Sequence, residues 1–153
     1  MYYAIVAALM LVFPLASILV DVSIHQVQPG WFLVGKWFVF WAVGVRLFVA
    51  GLRQMLQPRY TAEQILGIRG DDVLLVVREL GFANASIGIV GILSIVATGW
   101  VVAAALAGGI FYGLAGINHA LQGHRNRLEN VAMASDLFAA VVLLGYCIWV
   151  ATR

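Results

Sequence analysis

Five long apolar runs separated by short polar connections set the pattern of the chain. They cover roughly residues 2–20, 31–54, 73–98, 100–121 and 131–152. A helix needs about 20 apolar residues to cross a hydrocarbon core. Backbone in lipid must satisfy its own hydrogen bonds, so each run is expected to be a transmembrane helix. The fold class is therefore an all-α polytopic membrane helix bundle in a single membrane domain, with four spans as the alternative count.

The connections refine this picture. Pro14 lies mid-span in the first run and is expected to kink it. The first connection, from Asp21 to Gly30, holds His25 and the turn pair Pro29-Gly30. Pro58 ends the second span. Thr61 and Gln64 then read as a capping box for a short interfacial helix, which Gly67 can close. Thr98-Gly99-Trp100 is so short a link that spans three and four should form an antiparallel hairpin at the centre of the bundle. Gly81, Asn84, Gly88 and Gly91 share one face of span three, and Gly109 and Gly113 form a GxxxG on span four. Small residues of this kind let helices approach closely, within the chain or between copies of it.

Composition narrows the class. The chain has 153 residues, 63% of them hydrophobic and only 10% charged, with a mean hydropathy of +0.99. A soluble domain of that size needs more polar surface. Cys147 is the sole cysteine, so neither an intrachain disulfide nor a zinc site built on several thiolates is available. No basic run with interleaved aromatics suggests nucleic acid as a partner. The first run lacks a basic leader and reads as a retained helix, not a signal peptide. With five spans, the second and fourth connections share a side and hold Arg59, Arg69, Arg125 and Arg127. The positive-inside rule then puts the N-terminus in the cytoplasm of a cell whose plasma (inner) membrane holds the protein.

That topology gives the main functional expectation. Arg46 lies about 10 Å from the cytoplasmic end of span two, and Glu79 about 10 Å from that end of span three. Asp136 lies about 8 Å inside span five. Asn118 and His119 end span four on the same side, and Asn84 lies deeper in span three. Lys36, Val43, Arg46, Ala50 and Arg53 fall along one stripe of span two. Polar groups of several helices thus meet in one layer, and the opposite half is expected to have no comparable set. Buried charges are normally paired. Arg46 can pair with Glu79 or Asp136, and His119 can bond a carboxylate. The layer either fastens the bundle or holds a small ligand, a quinone headgroup or a proton. Arg46, Glu79, Asn84, Asn118, His119 and Asp136 are the candidate residues.

The bland readings are equally concrete. Arg78 is about 100° around the helix from Glu79 and should reach the headgroups. Glu79 is interfacial if the span starts at Leu80. Asn84 can simply bond a neighbouring helix. Asn84-Ala85-Ser86 matches a glycosylation sequon, but inside the membrane the match is meaningless. A haem held by two histidines is disfavoured, because His25 lies on the opposite side from His119 and His124 is in a loop. A metal on Glu79, His119 and Asp136 has no spacing motif behind it, and no metal is expected.

Two stretches carry a resemblance. RLFVAGLRQMLQP, ending span two, resembles DoxX-like membrane proteins. RELGFANASIGIVGILS, with FYGLAGINHAL and the Asp136 span, looks like a family of small bacterial integral membrane proteins with no assigned function. The DoxX resemblance implies a four-helix bundle in quinone-linked redox or thiol chemistry, with Arg46 as the matching arginine. The fifth span and the lone Cys147 depart from that pattern, and Cys147 supplies no dithiol. Three functions are therefore expected candidates. The leading one is a small-ligand or quinone-linked redox component, with Arg46 anchoring an anionic or carbonyl group. The others are an oligomeric transporter or channel, and a non-catalytic subunit of a larger membrane complex.

Overall fold

The computed structural model describes residues 2–123 and 126–153, and among these the chain is helical throughout its ordered elements. We label the helices α1 (Tyr2–Ser23), α2 (Trp31–Leu56), the short α3 (Tyr60–Ile65), α4 (Asp72–Leu93), α5 (Thr98–Leu121) and α6 (Arg127–Ala151). All but α3 are long and apolar enough to cross a membrane. Their outward faces carry large apolar side chains such as Leu19, Leu75, Leu114, Val141 and Ile148. A surface of this kind calls for lipid as its solvent, and the protein is a multi-pass membrane protein. His124 and Arg125, counted above for the fourth connection, lie outside the described residues.

Pro14 acts as its chemistry demands, with an added detail. A proline ring collides with the carbonyl four residues back, here that of Met10. The chain widens into a π-type turn over Ala8–Val12, and Pro14 then sits in the first turn of regular helix. Helix α2 contains a similar wide turn over Val39–Val45. Each such turn takes in an extra residue and resets the faces that follow it. This is why the stripe expected on α2 is broken. Lys36, before the wide turn, reaches Asp21, whereas Arg46, Ala50 and Arg53, after it, face a different site.

The centre of the bundle is α2, not a hairpin of α4 and α5. Helix α2 packs against all four other spans, while α4 and α5 touch each other much less than α4 touches α2 or α5 touches α6. The glycine face of α4 explains the first pairing. A Cβ on Gly88 would stand 2.5 Å from the Phe48 nitrogen, and one on Gly91 2.6 Å from the Gly44 nitrogen. Across from them, a Cβ on Gly51 would stand 2.6 Å from the Ala85 nitrogen. In lipid, helices are held by such close packing instead of by expulsion of water. On α5, Gly109 and Gly116 seat Leu144 and Leu137 of α6. These glycine faces are therefore filled within the chain.

Helix ends differ from expectation in a way that matters later. Helix α1 runs on to Ser23 and so includes Asp21, and α6 starts at Arg127 and so includes Glu129. Hydropathy ends the first span before Asp21 and starts the fifth after Glu129, so by sequence both acids read as parts of connections. Asn126 caps α6, its Oδ1 accepting from the Glu129 nitrogen at 2.9 Å. The Thr61–Gln64 capping box does not form, because the turn already begins at Pro58 and no side chain caps it. Gly67 does close the segment, with a φ of +69° that suits glycine.

Candidate functional site

Arg46 is the first residue after the wide turn of α2, and the reset register points it into the bundle. Its Nη2 donates to Asp136 Oδ1 at 2.9 Å and to Ser135 Oγ at 3.3 Å, both on α6. Ser135 in turn donates to the Ala132 carbonyl at 2.9 Å. The guanidinium also lies over the Tyr112 ring of α5, 4.9 Å from its centre. Tyr112, fully buried, donates its hydroxyl proton to the Ala42 carbonyl in the wide turn of α2. Asp136 is only 6% exposed. A carboxylate there is stable because the arginine neutralises it and supplies a short, charge-assisted bond.

A second buried pair lies about two turns along α5. Glu129 Oε1 accepts from His119 Nδ1 at 3.1 Å, with Glu129 only 2% exposed. On the α4 side, Asn84 Nδ2 donates to Gln54 Oε1 at 2.8 Å. Asn84 is 3% exposed, and its own Oδ1 has no hydrogen-bond partner among the described residues. A buried acceptor left unmet costs about 1–3 kcal/mol.

These groups border a cavity of about 210 Å³ to which all five spans contribute. Arg46, Asn84, His119 and Asp136 line it, along with Tyr2, Arg53 and Gln54. Most of the remaining wall is apolar, including Leu9, Val49, Leu80 and Phe111. Tyr60, Thr61, Ile65 and Leu66 of the α3 segment close one end. Asn126 ties that cap down, its Nδ2 donating to the Gln64 and Ile65 carbonyls at 3.1 and 3.3 Å. Arg59 adds ion pairs to Asp71 at 2.5 Å and Glu63 at 3.5 Å. Ile5 and Val49 line the cavity and are also 36% and 43% exposed, so the rim between α1 and α2 is open and apolar.

Of the six candidate residues, the structure thus brings four together: Arg46, Asn84, His119 and Asp136. Glu79 and Asn118 are exposed and do not line the cavity. Their depth along the helix was suitable, but their direction was not. The glycine face turns α4 toward α2, and Glu79 stands roughly 200° around the helix from Gly81. The pairing of Glu79 with Arg46 and a metal on Glu79, His119 and Asp136 both fail for this reason. Among the described residues, no three His, Cys, Asp or Glu side chains converge as a metal set would.

The opposite end of the bundle does hold a polar set, against expectation. Asp21, 4% exposed, accepts from Lys36 Nζ at 2.8 Å, Trp37 Nε1 at 2.8 Å and His25 Nδ1 at 2.9 Å. The spacing that could have revealed it was the Lys36-Trp37 pair facing the end of span one. Gln54 and Tyr60 at the cavity, and Glu129 behind His119, were likewise missed.

The model of a family of unknown function (DUF6790) matches residues 1–153. No curated protein and no solved structure matches the chain. The likeness to DoxX proteins gains nothing from these comparisons.

Proposed function

The chain belongs to this family of unknown function, which assigns it no activity, and we propose one from the site: the protein binds the polar head of a membrane-soluble amphiphile in an intramembrane pocket. The observation that carries this reading is the cavity itself, a mostly apolar space with Arg46, Asn84, His119 and Asp136 at its wall. Ligand sites combine apolar lining with a few converging polar groups in this way. A purely structural layer of charges needs no empty volume beside it. The open rim at Ile5 and Val49 gives an approach from the hydrocarbon. At about 210 Å³ the cavity is smaller than the roughly 300 Å³ at which pockets begin to enclose a whole drug-sized ligand. It suits a head and the first part of a tail, the rest lying in lipid.

In this reading the cavity end faces the cytoplasm of a bacterial inner membrane. The support is the basic character of Arg59, Arg69 and Arg127 near that end. Arg46 donates to an acceptor on the head, either a quinone-type carbonyl or an anion. The test is cavity filling. Ala115 lines the cavity and carries no charge. Decylubiquinone, oleate and oleyl alcohol are each titrated against the protein in neutral detergent, and thermal unfolding is followed. At least one should raise Tm in the wild type and fail to do so in Ala115→Phe. If none shifts Tm, or if Ala115→Phe responds like the wild type, the proposal is wrong.

A further inference from the structure

Charge matching around the cavity points to the class of ligand. Arg46 is paired with Asp136, and Arg59 with Asp71 and Glu63, while Glu129 is hydrogen-bonded to His119. Arg53 is different. It lines the cavity and is half-buried, and its guanidinium makes no hydrogen bond or ion pair among the described residues. Its guanidinium instead lies 3.5 Å from the centre of the Tyr60 ring, in the segment that caps the cavity. Stacking of this kind fixes the guanidinium plane while leaving its edge of N–H donors unused. That edge is a fork matched to a carboxylate or phosphate.

We infer that the amphiphile is an anion with a single tail, its carboxylate- or phosphate-type head held by Arg53 at the capped end of the cavity. The inference rests on the amphiphile-binding reading above and specifies its ligand. Among the described residues that line the cavity, two are arginines, Arg46 and Arg53, and one is a carboxylate, Asp136, while Glu129 is engaged by His119 outside that lining. A head with one negative charge completes the balance, whereas a neutral carbonyl leaves Arg53 unmatched in a low-dielectric setting. Gln54 and Asn84 place amide groups at the same wall. The tail runs along Leu9, Val49 and Leu80 and leaves by the rim at Ile5. An arginine that merely reached bilayer phosphates would have no reason to be seated on the cap of an internal cavity.

The experiment is photolabelling of the purified protein in neutral detergent at about pH 8, where a free fatty acid is ionised. Three probes carry the same diazirine in the same tail position: stearic acid, stearyl alcohol, and a phosphatidate with one tagged chain. Labelled peptides are mapped by mass spectrometry. The acid should label residues 2–9 and 47–66 about tenfold more than the alcohol, the scale of one charge-assisted hydrogen bond. Arg53→Gln should reduce acid labelling to the alcohol level and leave alcohol labelling alone. Arg53→Lys should keep most of it, which shows that the fold is intact. Arg153→Gln, at an arginine seated on Trp149 at the other end of α6, should change nothing. Arg53-dependent labelling by phosphatidate in place of the acid supports the anionic head and identifies a two-chain phospholipid as its source, overturning the single tail. Equal labelling by acid and alcohol, or acid labelling indifferent to Arg53→Gln, overturns the anion and leaves the amphiphile site standing. No labelling of these peptides by any probe overturns both.

Discussion

Two buried acids at opposite ends of the bundle have almost the same exposure and quite different surroundings. Asp21 is ringed by Lys36, Trp37 and His25, all within 3 Å, and neither the main cavity nor the open groove between α1 and α6 near Met10 and Phe138 reaches it. Asp136 is paired as closely with Arg46, yet both line a cavity bordered, among the described residues, by an arginine without an ion pair and an amide oxygen without a donor. A buried charge in a membrane helix is a reason to look for function. Burial is alike at the two acids, so it does not tell them apart; the volume and bonding capacity left beside Asp136 do, and on these the proposed site rests.

The contrast can be broken most severely at Asp136. Asp136→Leu strands Arg46 in the bundle, and removing one partner of a buried pair costs about 3–5 kcal/mol. We expect a large fall in Tm in detergent together with loss of ligand stabilisation. Adding Arg46→Met should restore much of the stability and none of the binding. A double variant that regained the ligand response would mean that the pair is no part of the site.

Asp21→Leu should cost less, about 1–3 kcal/mol, because the Lys36 side chain is already 28% exposed and can reach water. Ligand response should be unchanged. If it disappeared, the clasp and the site would not be separable. Asn126→Ala removes both the α6 cap and the tie to α3, and should cost about 1 kcal/mol. Its clearer mark should be faster proteolysis within residues 57–70, and equal cleavage of variant and wild type would count against the tie. The smallest effect is expected for Ser135→Ala, about 0.5 kcal/mol, since Arg46 retains Asp136.

The spans were legible because lipid demands long apolar helices, a constraint that hydropathy reads directly. That Arg46, His119 and Asp136 lie toward one end of the bundle was legible for the same reason, as rise per residue needs only the end of each span; that His119 stands about two turns from the Arg46–Asp136 pair was not. The direction of Glu79 around its helix was carried by the sequence as well. The face holding Gly81, Asn84 and Gly88 was recognised as a packing face, and it fixes where Glu79 must point. The wide turns were invisible, because no residue type marks them except Pro14 beside the first. They are what divides α2 between the Asp21 cluster and the cavity. Asp21 and Glu129 were assigned to connections because a charge near a span end reads as its boundary. In the structure each acid finds a partner and the helix continues past it.

The central claim is that the cavity beside Arg46 and Asp136 holds an amphiphile, and native mass spectrometry of the purified protein tests it most directly. Wild type and Asp21→Asn should both carry a bound molecule of the same mass, released together on activation, while Ala115→Phe carries none. A wild-type protein with no adduct, or an adduct that Ala115→Phe retains, would contradict the account.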